Sequence, residues 1–256
     1  MMVGVTCEFC GTVVEAPDQA AFEGAFLAHV RAAHAEFPYP DIAVRNYAAA
    51  TQRLSGGTEH LTDIGDVVVA RVTEDRIDDW LDFFDHDAFA GNPAWAACYC
   101  AEPHRVAAGT APEDVEPTTW RENRDYMVEL LRSGRSCGYL AYVDGRPAGW
   151  VNASRRSEYT LYRRGPDAEP ADSDIIGISC FIIAPPYRRH GLATAMLEHV
   201  IIDARDRDAE WIEAYPFNEE RDDDAARFRG PRALFEAHGF EPVVRRTHDT
   251  VVRRGV

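Results

Sequence analysis

From residue 66 onward, the apolar positions of the chain switch repeatedly between a two-residue period and a period of three to four. "DVVVARV" (66–72) alternates as a strand does. "TEDRIDDWLDFFDHDAF" (73–89) sets Ile77, Trp80, Leu81 and Phe84 on one helical face, with Thr73 at the N-cap position. A stretch without usable period, "NPAWAACYCAEPH" (92–104), is followed by a second helix in "TTWRENRDYMVELLRSG" (118–134), closed by Gly134. "GYLAYVDGRPAGWVNAS" (138–154) predicts a hairpin turning at Asp144 and Gly145. "IIGISCFIIAPP" (175–186) is apolar enough to be a strand buried on both faces, stopped by its prolines. A helix from 190 to about 206, a strand in "WIEAYPF" (211–217), a short helix in "RALFEAHGF" (232–240) and strands in "PVVRRTHDTVVRR" (242–254) complete an α+β order.

The first 36 residues read as a separate unit. "VTCEFCGTVVEAPDQAAFEGAFLAHVRAAH" (5–34) runs a cysteine knuckle, a turn and a helix with Phe22, Phe26, His29 and Ala33 on one face. Prolines 38 and 40 break that helix, a short helix follows, and Ser55, Gly56 and Gly57 form a joint. The division predicted is 1–57 for a small module with its linker helix, and 58–256 for the main domain.

Composition narrows the function. The formal charge is -16, from 43 acidic and 27 basic residues, so a nucleic-acid partner would need a basic face that the sequence does not show. No long apolar run or signal segment is present, which predicts a cytoplasmic protein without a membrane partner. In that reducing setting, close cysteine pairs point to metal ligation or chemistry before disulfides.

Against this acidic background, "YRRHGLATAM" (187–196) gathers Arg188, Arg189 and His190 before Gly191 and a helix start. Cations at a helix N-terminus oppose the macrodipole unless an anion is expected there. The free amides of the first turn (Leu192, Ala193, Thr194) and the close approach that Gly191 permits suit a diphosphate. Arg188-x-x-Gly191-x-Ala193 resembles the acetyl-CoA signature of the GNAT family of N-acetyltransferases, preceded by the family's strand end at Ile183, Pro185 and Tyr187. "DGRPAGWV" is similar to its second and third strands, and "ALFEAHGFEPV" to its late helix, so the resemblance covers roughly residues 66–256.

The resemblance implies a splayed mixed sheet flanked by helices. Its central strand would pair with the pantetheine arm near Phe181 and Ile183, and an amine would attack the acetyl thioester directly. The chain departs from the pattern where relatives place a general-acid tyrosine in the late helix, since Phe235 stands there and a phenyl ring carries no proton to give. Tyr215, at the end of the next strand, is the substitute candidate, with Glu213 as base; the competing reading makes Tyr215 a half-buried strand aromatic and Glu213 solvent-facing. Cys98, Cys100 and His104 either ligate a metal or place a thiol near the acceptor pocket, the competing reading being cysteines packed as small hydrophobes beside Trp95 and Tyr99; the loop is expected to shape the acceptor site.

Cys7 and Cys10, with His29 and His34, supply two thiolates and two imidazoles, a complete tetrahedral zinc set resembling a two-cysteine, two-histidine finger. Eighteen residues separate Cys10 from His29, more than the roughly twelve usual in such fingers. The histidines lie five apart, so the helix must loosen at its end. With Arg31 the main base on that helix, the module is assigned a structural or protein-contact role.

The sequence thus predicts an acetyl-CoA-dependent N-acetyltransferase carrying a structural zinc, acting on a primary amine. "EERDDD" (219–224) leans toward a cationic acceptor, such as a polyamine, an aminoglycoside-like drug or a lysine-bearing peptide. The alternative is an acyl-CoA-sensing regulator that binds without turnover and makes contacts through the finger.

Overall fold

The computed structural model describes residues 2–111, 114–219, 223 and 225–256. Much of the acidic run, residues 220–222 and 224, lies outside the described residues. Strands β1 (Val3–Thr6) and β2 (Val13–Ala16) form an antiparallel ribbon against helix α1 (Gln19–Ala33). Phe22, Phe26 and Val30 of α1 share a small core with Val14, Cys7 and, from helix α2 (Asp41–Arg53), Val44 and Ala48.

The main sheet has seven strands: β3 (Val67–Arg71), β4 (Gly138–Val143), β5 (Arg146–Arg155), β6 (Ile175–Ile183), β7 (Trp211–Ala214), β8 (Glu241–Arg245) and β9 (Thr250–Gly255). Their order is β3-β4-β5-β6-β7-β9-β8, antiparallel throughout except for β6 beside β7. This is the α+β mixed sheet that the residue pattern predicts.

Both faces are covered. Leu140, Trp150, Cys180 and Ile182 face one core, shared with Ile77 and Trp80 of helix α3 (Ile77–Asp82). The short helix α4 (Glu102–Arg105) and helix α5 (Trp120–Arg132) follow in the chain, and α5 adds Met127 and Leu131 to the same core. Tyr139, Val151, Ile178 and Phe181 face the other core, against helix α6 (Leu192–Asp206) and helix α7 (Arg232–Ala237). Alternate residues of one strand serve opposite cores, which is why the 175–183 run is apolar at nearly every position.

Three local outcomes differ from the sequence reading. The helix expected over 73–89 is a 3-10 turn, then α3, then a π-helical turn at Phe83–Asp87; the extra residue in that turn brings both Phe83 and Phe84 inward. Thr73 has the extended N-cap backbone, but its hydroxyl binds Asp75 and leaves the backbone amides uncapped. The 55–57 joint is pinned, because the Ser55 and Gly56 amides both donate to the His86 carbonyl.

Helix α2 belongs to both parts of the molecule. Its Ala50 enters the large core, the Asn46 side chain donates to the Thr118 carbonyl at 2.9 Å, and Arg53 reaches the Tyr99 hydroxyl at 2.5 Å. Among the described residues no helix is long and apolar enough to cross a membrane.

Inside the sheet, the fully buried Asn152 links three groups. Its Oδ1 accepts from the Tyr159 hydroxyl and from Ser154 Oγ, while its Nδ2 lies 3.2 Å from His104 Nε2. His104 Nδ1 faces the Glu158 carbonyl at 3.1 Å, so Nδ1 donates and Nε2 accepts. Burial pushes the His104 pKa down to about 4. The neutral ring therefore stabilises the fold fully above the unfolded-state pKa of about 6.5, and this contribution fades as pH falls toward 4. His104→Gln is expected to flatten the pH dependence of unfolding in that window, removing up to about 3 kcal/mol of acid-side loss. Denaturant titrations of both proteins at pH 7 and pH 4.5 measure it; parallel curves would contradict the assignment.

Candidate functional site

The site begins where β6 and β7 part. Their parallel ladder runs from Ile175↔Trp211 to Ile178↔Ala214 and stops. Two features stop it. On β6 the pairing with β5 skips from Ile178↔Ala153 to Cys180↔Asn152, so Ser179 is an extra residue, a bulge that bends the strand. On the other side, β7 runs into Tyr215 and Pro216, and proline has no N–H to continue a ladder. The strands splay, and a cavity of about 610 Å³ opens between them.

At one end of this cavity stand Arg188, Arg189, Gly191, Leu192 and Ala193. Gly191 caps α6 with φ 81°, a left-handed conformation that costs glycine little and lets the chain turn directly into the helix. The first helical bond is Ala195 N to Gly191 O, so the amides of Leu192, Ala193 and Thr194 have no acceptor within α6. Arg189 is also left-handed, with φ 68°, and Arg188 Nε donates to the Ile183 carbonyl at 3.0 Å. These are the ingredients of an anion-binding nest.

The floor is β6. Ser179, Cys180, Phe181, Ile182 and Ile183 all line the cavity. The Phe181 amide points into the gap and donates to the Phe228 carbonyl at 2.5 Å, so segment 225–231 lies along this open edge. The far wall contains Phe89, Trp95, Cys98, Cys100, Glu102 and Tyr162.

The expected site residues divide accordingly. Phe181, Ile183, Arg188, Arg189, Gly191, Leu192 and Ala193 are brought together on the cavity wall. His190 and Thr194 do not line it, and His190 turns outward to the Leu61 carbonyl at 2.9 Å. Tyr215 and Glu213 do not line it either. Glu213 is buried at 1% exposure, with Arg156 on Oε2 at 2.9 Å and Arg253 on Oε1 at 2.5 Å. Two guanidiniums hold both its oxygens, so the solvent-facing reading of Glu213 gives way, and its geometry is that of a buried ion-pair anchor. Tyr215, also buried, lies against Gly177 with its hydroxyl 3.4 Å from Glu213 Oε2. Burial first, and then the Glu213 charge, raise its pKa well above the ordinary value.

Between Tyr215 and the cavity stands Tyr162, stacked on it at 3.7 Å and 11°. Its hydroxyl makes no hydrogen bond with any described residue, and it is the tyrosine that lines the cavity. Sequence reasoning misses it, since nothing in "YTLYRRG" (159–165) marks which tyrosine faces the gap.

Cys98, Cys100 and His104 do not converge as ligands. His104 is committed to Asn152 and Glu158, while Cys100 Sγ lies 3.1 Å from Cys180 Sγ. Burial raises the Cys100 thiol pKa well above its ordinary value, and burial followed by the Glu102 charge pushes that of Cys98 up to about 12. The geometry excludes the metal reading, and both thiols line the cavity.

In the N-terminal module the four expected ligands do converge, with their donor atoms all within 4.8 Å of one another. Cys7 Sγ is 3.6 Å from His34 Nε2, and Cys10 Sγ is 3.4 Å from His29 Nε2. Zn–S of about 2.3 Å and Zn–N of about 2.0–2.1 Å at a tetrahedral angle put S and N roughly 3.5 Å apart, so the spacing fits one ion. The helix loosens as the five-residue spacing requires: α1 ends at Ala33, and His34 leaves the helical conformation with φ -136° and ψ 49°. The Thr12 hydroxyl and amide beside Cys10 hold its thiol pKa down to about 6.

Comparison with known proteins adds to this geometry. No curated protein matches the chain. Solved structures similar to it include a GNAT-family acetyltransferase from Streptococcus pneumoniae, at 14% identity and TM-score 0.42, covering 75% of this chain and 100% of that one. An acetyltransferase from Thermus thermophilus is similar at 15% identity and TM-score 0.46, covering 75% and 99%. yncA from Salmonella typhimurium, solved with its cofactor acetyl-CoA, is similar at 13% identity and TM-score 0.44, covering 74% and 93%. The model of the acetyltransferase (GNAT) family matches residues 96–240, more than half of the chain, and the protein belongs to that family.

Proposed function

We propose that the protein transfers the acetyl group of acetyl-CoA to a primary amine. The observation that carries this reading is one continuous cavity running from the cationic nest at α6 along the open edge of β6 to a mostly apolar wall. The nest suits the diphosphate. The Phe181 amide suits an extended amide arm, which would replace the Phe228 carbonyl as its partner. The six unpaired cysteines suit a reducing compartment, and the cytoplasm is our placement for the enzyme.

In the reaction the amine nitrogen attacks the thioester carbonyl carbon. A C–N bond forms, the C–S bond breaks, and the electron pair leaves on sulfur. One proton leaves the nitrogen and one reaches the thiolate, giving the amide and free thiol. The cavity contributes position and exclusion of water. Tyr162 is our proton donor to the departing sulfur, in the role that Phe235 cannot fill and that Tyr215, behind it, does not reach.

Zinc belongs to the same proposal. Cys7, Cys10, His29 and His34 would hold it, and the ion would supply structural stability to a module with a small core.

Each part has its own measurement. An added Cβ at Gly191 meets no protein atom within 4 Å, so Gly191→Val should cost only the left-handed strain, about 1–2 kcal/mol, while acetyl-CoA affinity in calorimetric titration falls more than tenfold. Wild-type protein that bound acetyl-CoA but released no thiol with any amine would turn the reading toward sensing. Tyr162→Phe is expected to lower kcat by about a hundredfold with acetyl-CoA affinity retained, whereas Tyr215→Phe should leave kcat near the wild-type value. For the metal, the full-length chain should bind one cobalt(II) with tetrahedral d–d absorption, and Cys7→Ser together with Cys10→Ser should abolish it. Absence of that spectrum in the wild type rejects the site.

A further inference from the structure

Among the described residues, the cavity wall carries four arginines, Arg188, Arg189, Arg227 and Arg229, and one carboxylate, Glu102. In a chain with 43 acidic residues that ratio is inverted locally, which makes the one acid informative. Glu102 opens the short helix α4, directly after Tyr99 and Cys100, two residues in the left-handed region with φ 49° and 55°. That contorted turn aims the start of α4 at the cavity. The Glu102 carboxylate forms no hydrogen bond and no ion pair with any described residue, although guanidiniums line the same cavity. Arg229 lines the same end of the cavity, 5.8 Å over the Phe228 ring and 5.9 Å over the Tyr162 ring, but its charge is already paired with Asp249 at 2.8 Å. Glu102 is exposed and lines the cavity.

Around it the wall is aromatic. Trp95, 37% exposed, meets Phe228 edge to face at 5.8 Å and 84°, and Phe89 lines the cavity beside them. An occupant at this end meets the Glu102 carboxylate, several ring faces and an Arg229 guanidinium already paired with Asp249, and no second acid among the described residues of the cavity to receive a second ammonium.

Resting on the acetyltransfer reading, we propose that Glu102 receives the ammonium of the acceptor, and that the acceptor is a monocationic primary amine whose apolar, flat body lies against Trp95 and Phe228. This narrows the acceptor away from polyamines and aminoglycoside-like compounds, whose additional charges would sit on apolar rings. It also disfavours amino acids, whose carboxylate would lie against Glu102.

The test uses the full-length protein with 2-phenylethylamine, spermidine and phenylalanine as probes. Thiol release in the presence of acetyl-CoA should show the highest kcat/KM for 2-phenylethylamine. Glu102→Gln should raise its KM roughly tenfold to a hundredfold, with the calorimetric affinity for acetyl-CoA unchanged. Trp95→Ala should raise that KM as well. Equal or better use of spermidine or phenylalanine, or an unchanged KM in Glu102→Gln, overturns the proposal. Should the wild type release no thiol with any amine, the acetyltransfer reading fails by itself; direct titration of 2-phenylethylamine into the coenzyme-A-bound protein still decides the Glu102 site, because loss of its binding in Glu102→Gln supports the assignment and equal affinity rejects it.

Discussion

A parallel strand pair that ends after Ile178 and Ala214 is the constraint from which the rest of the structure follows. Had β7 continued beside β6, the Phe181 amide would have a strand partner and no ligand could reach it. The bulge at Ser179 and the proline at 216 end the ladder from both sides. On its other edge β6 stays paired to β5 as far as Ile183, so the open edge is held by the rest of the sheet. That combination of a fixed strand and a free edge gives a long ligand a preorganised track.

The acceptor wall is positioned by a different set of interactions, and these come from outside the main sheet. Tyr99 and Cys100 occupy a conformation costing non-glycine residues of order 1–3 kcal/mol each. Tyr99 is retained by bonds with Arg53 and Asp85, each at 2.5 Å, and Arg124 holds Asp85 in turn at 2.9 Å. Arg53 is the last residue of α2, whose other side packs with Phe22 and Phe26 of α1. Through Arg53 of α2, the N-terminal part of the chain braces the loop that carries Tyr99.

Local chemistry is what the sequence makes legible. The hairpin at Asp144 and Gly145, the cap at Gly191 and the convergence of Cys7, Cys10, His29 and His34 each follow from residue type and spacing, and all appear in the structure. Glu213 and Tyr215 stand two apart where a strand ends, as their pattern suggests, but the surroundings of Glu213 come from Arg156 and Arg253, 57 and 40 residues distant, and no local pattern reports those. Tyr162 and Glu102 escape the sequence for the same reason. A tyrosine close to another in a short loop, and a glutamate beside two cysteines, gain their meaning only when the splay between β6 and β7 decides what faces the gap. The π-helical turn at 83–87 likewise depends on two phenylalanines finding one core.

Charge sets two scales that act in opposite directions. At a distance, the net -16 repels anions and attracts cations. Screening confines that field to about 8 Å at physiological ionic strength, so what the coenzyme meets on arrival is local. There it finds Arg188, Arg189 and the positive end of α6, with the free amides of the first turn supplying direct hydrogen bonds. At the far wall, among the described residues, stand the Glu102 carboxylate and Arg229, the latter already paired with Asp249. On the acetyltransfer we propose, the phosphates would meet the two arginines and the amine would meet Glu102, so the long-range charge and the local nest act on different substrates.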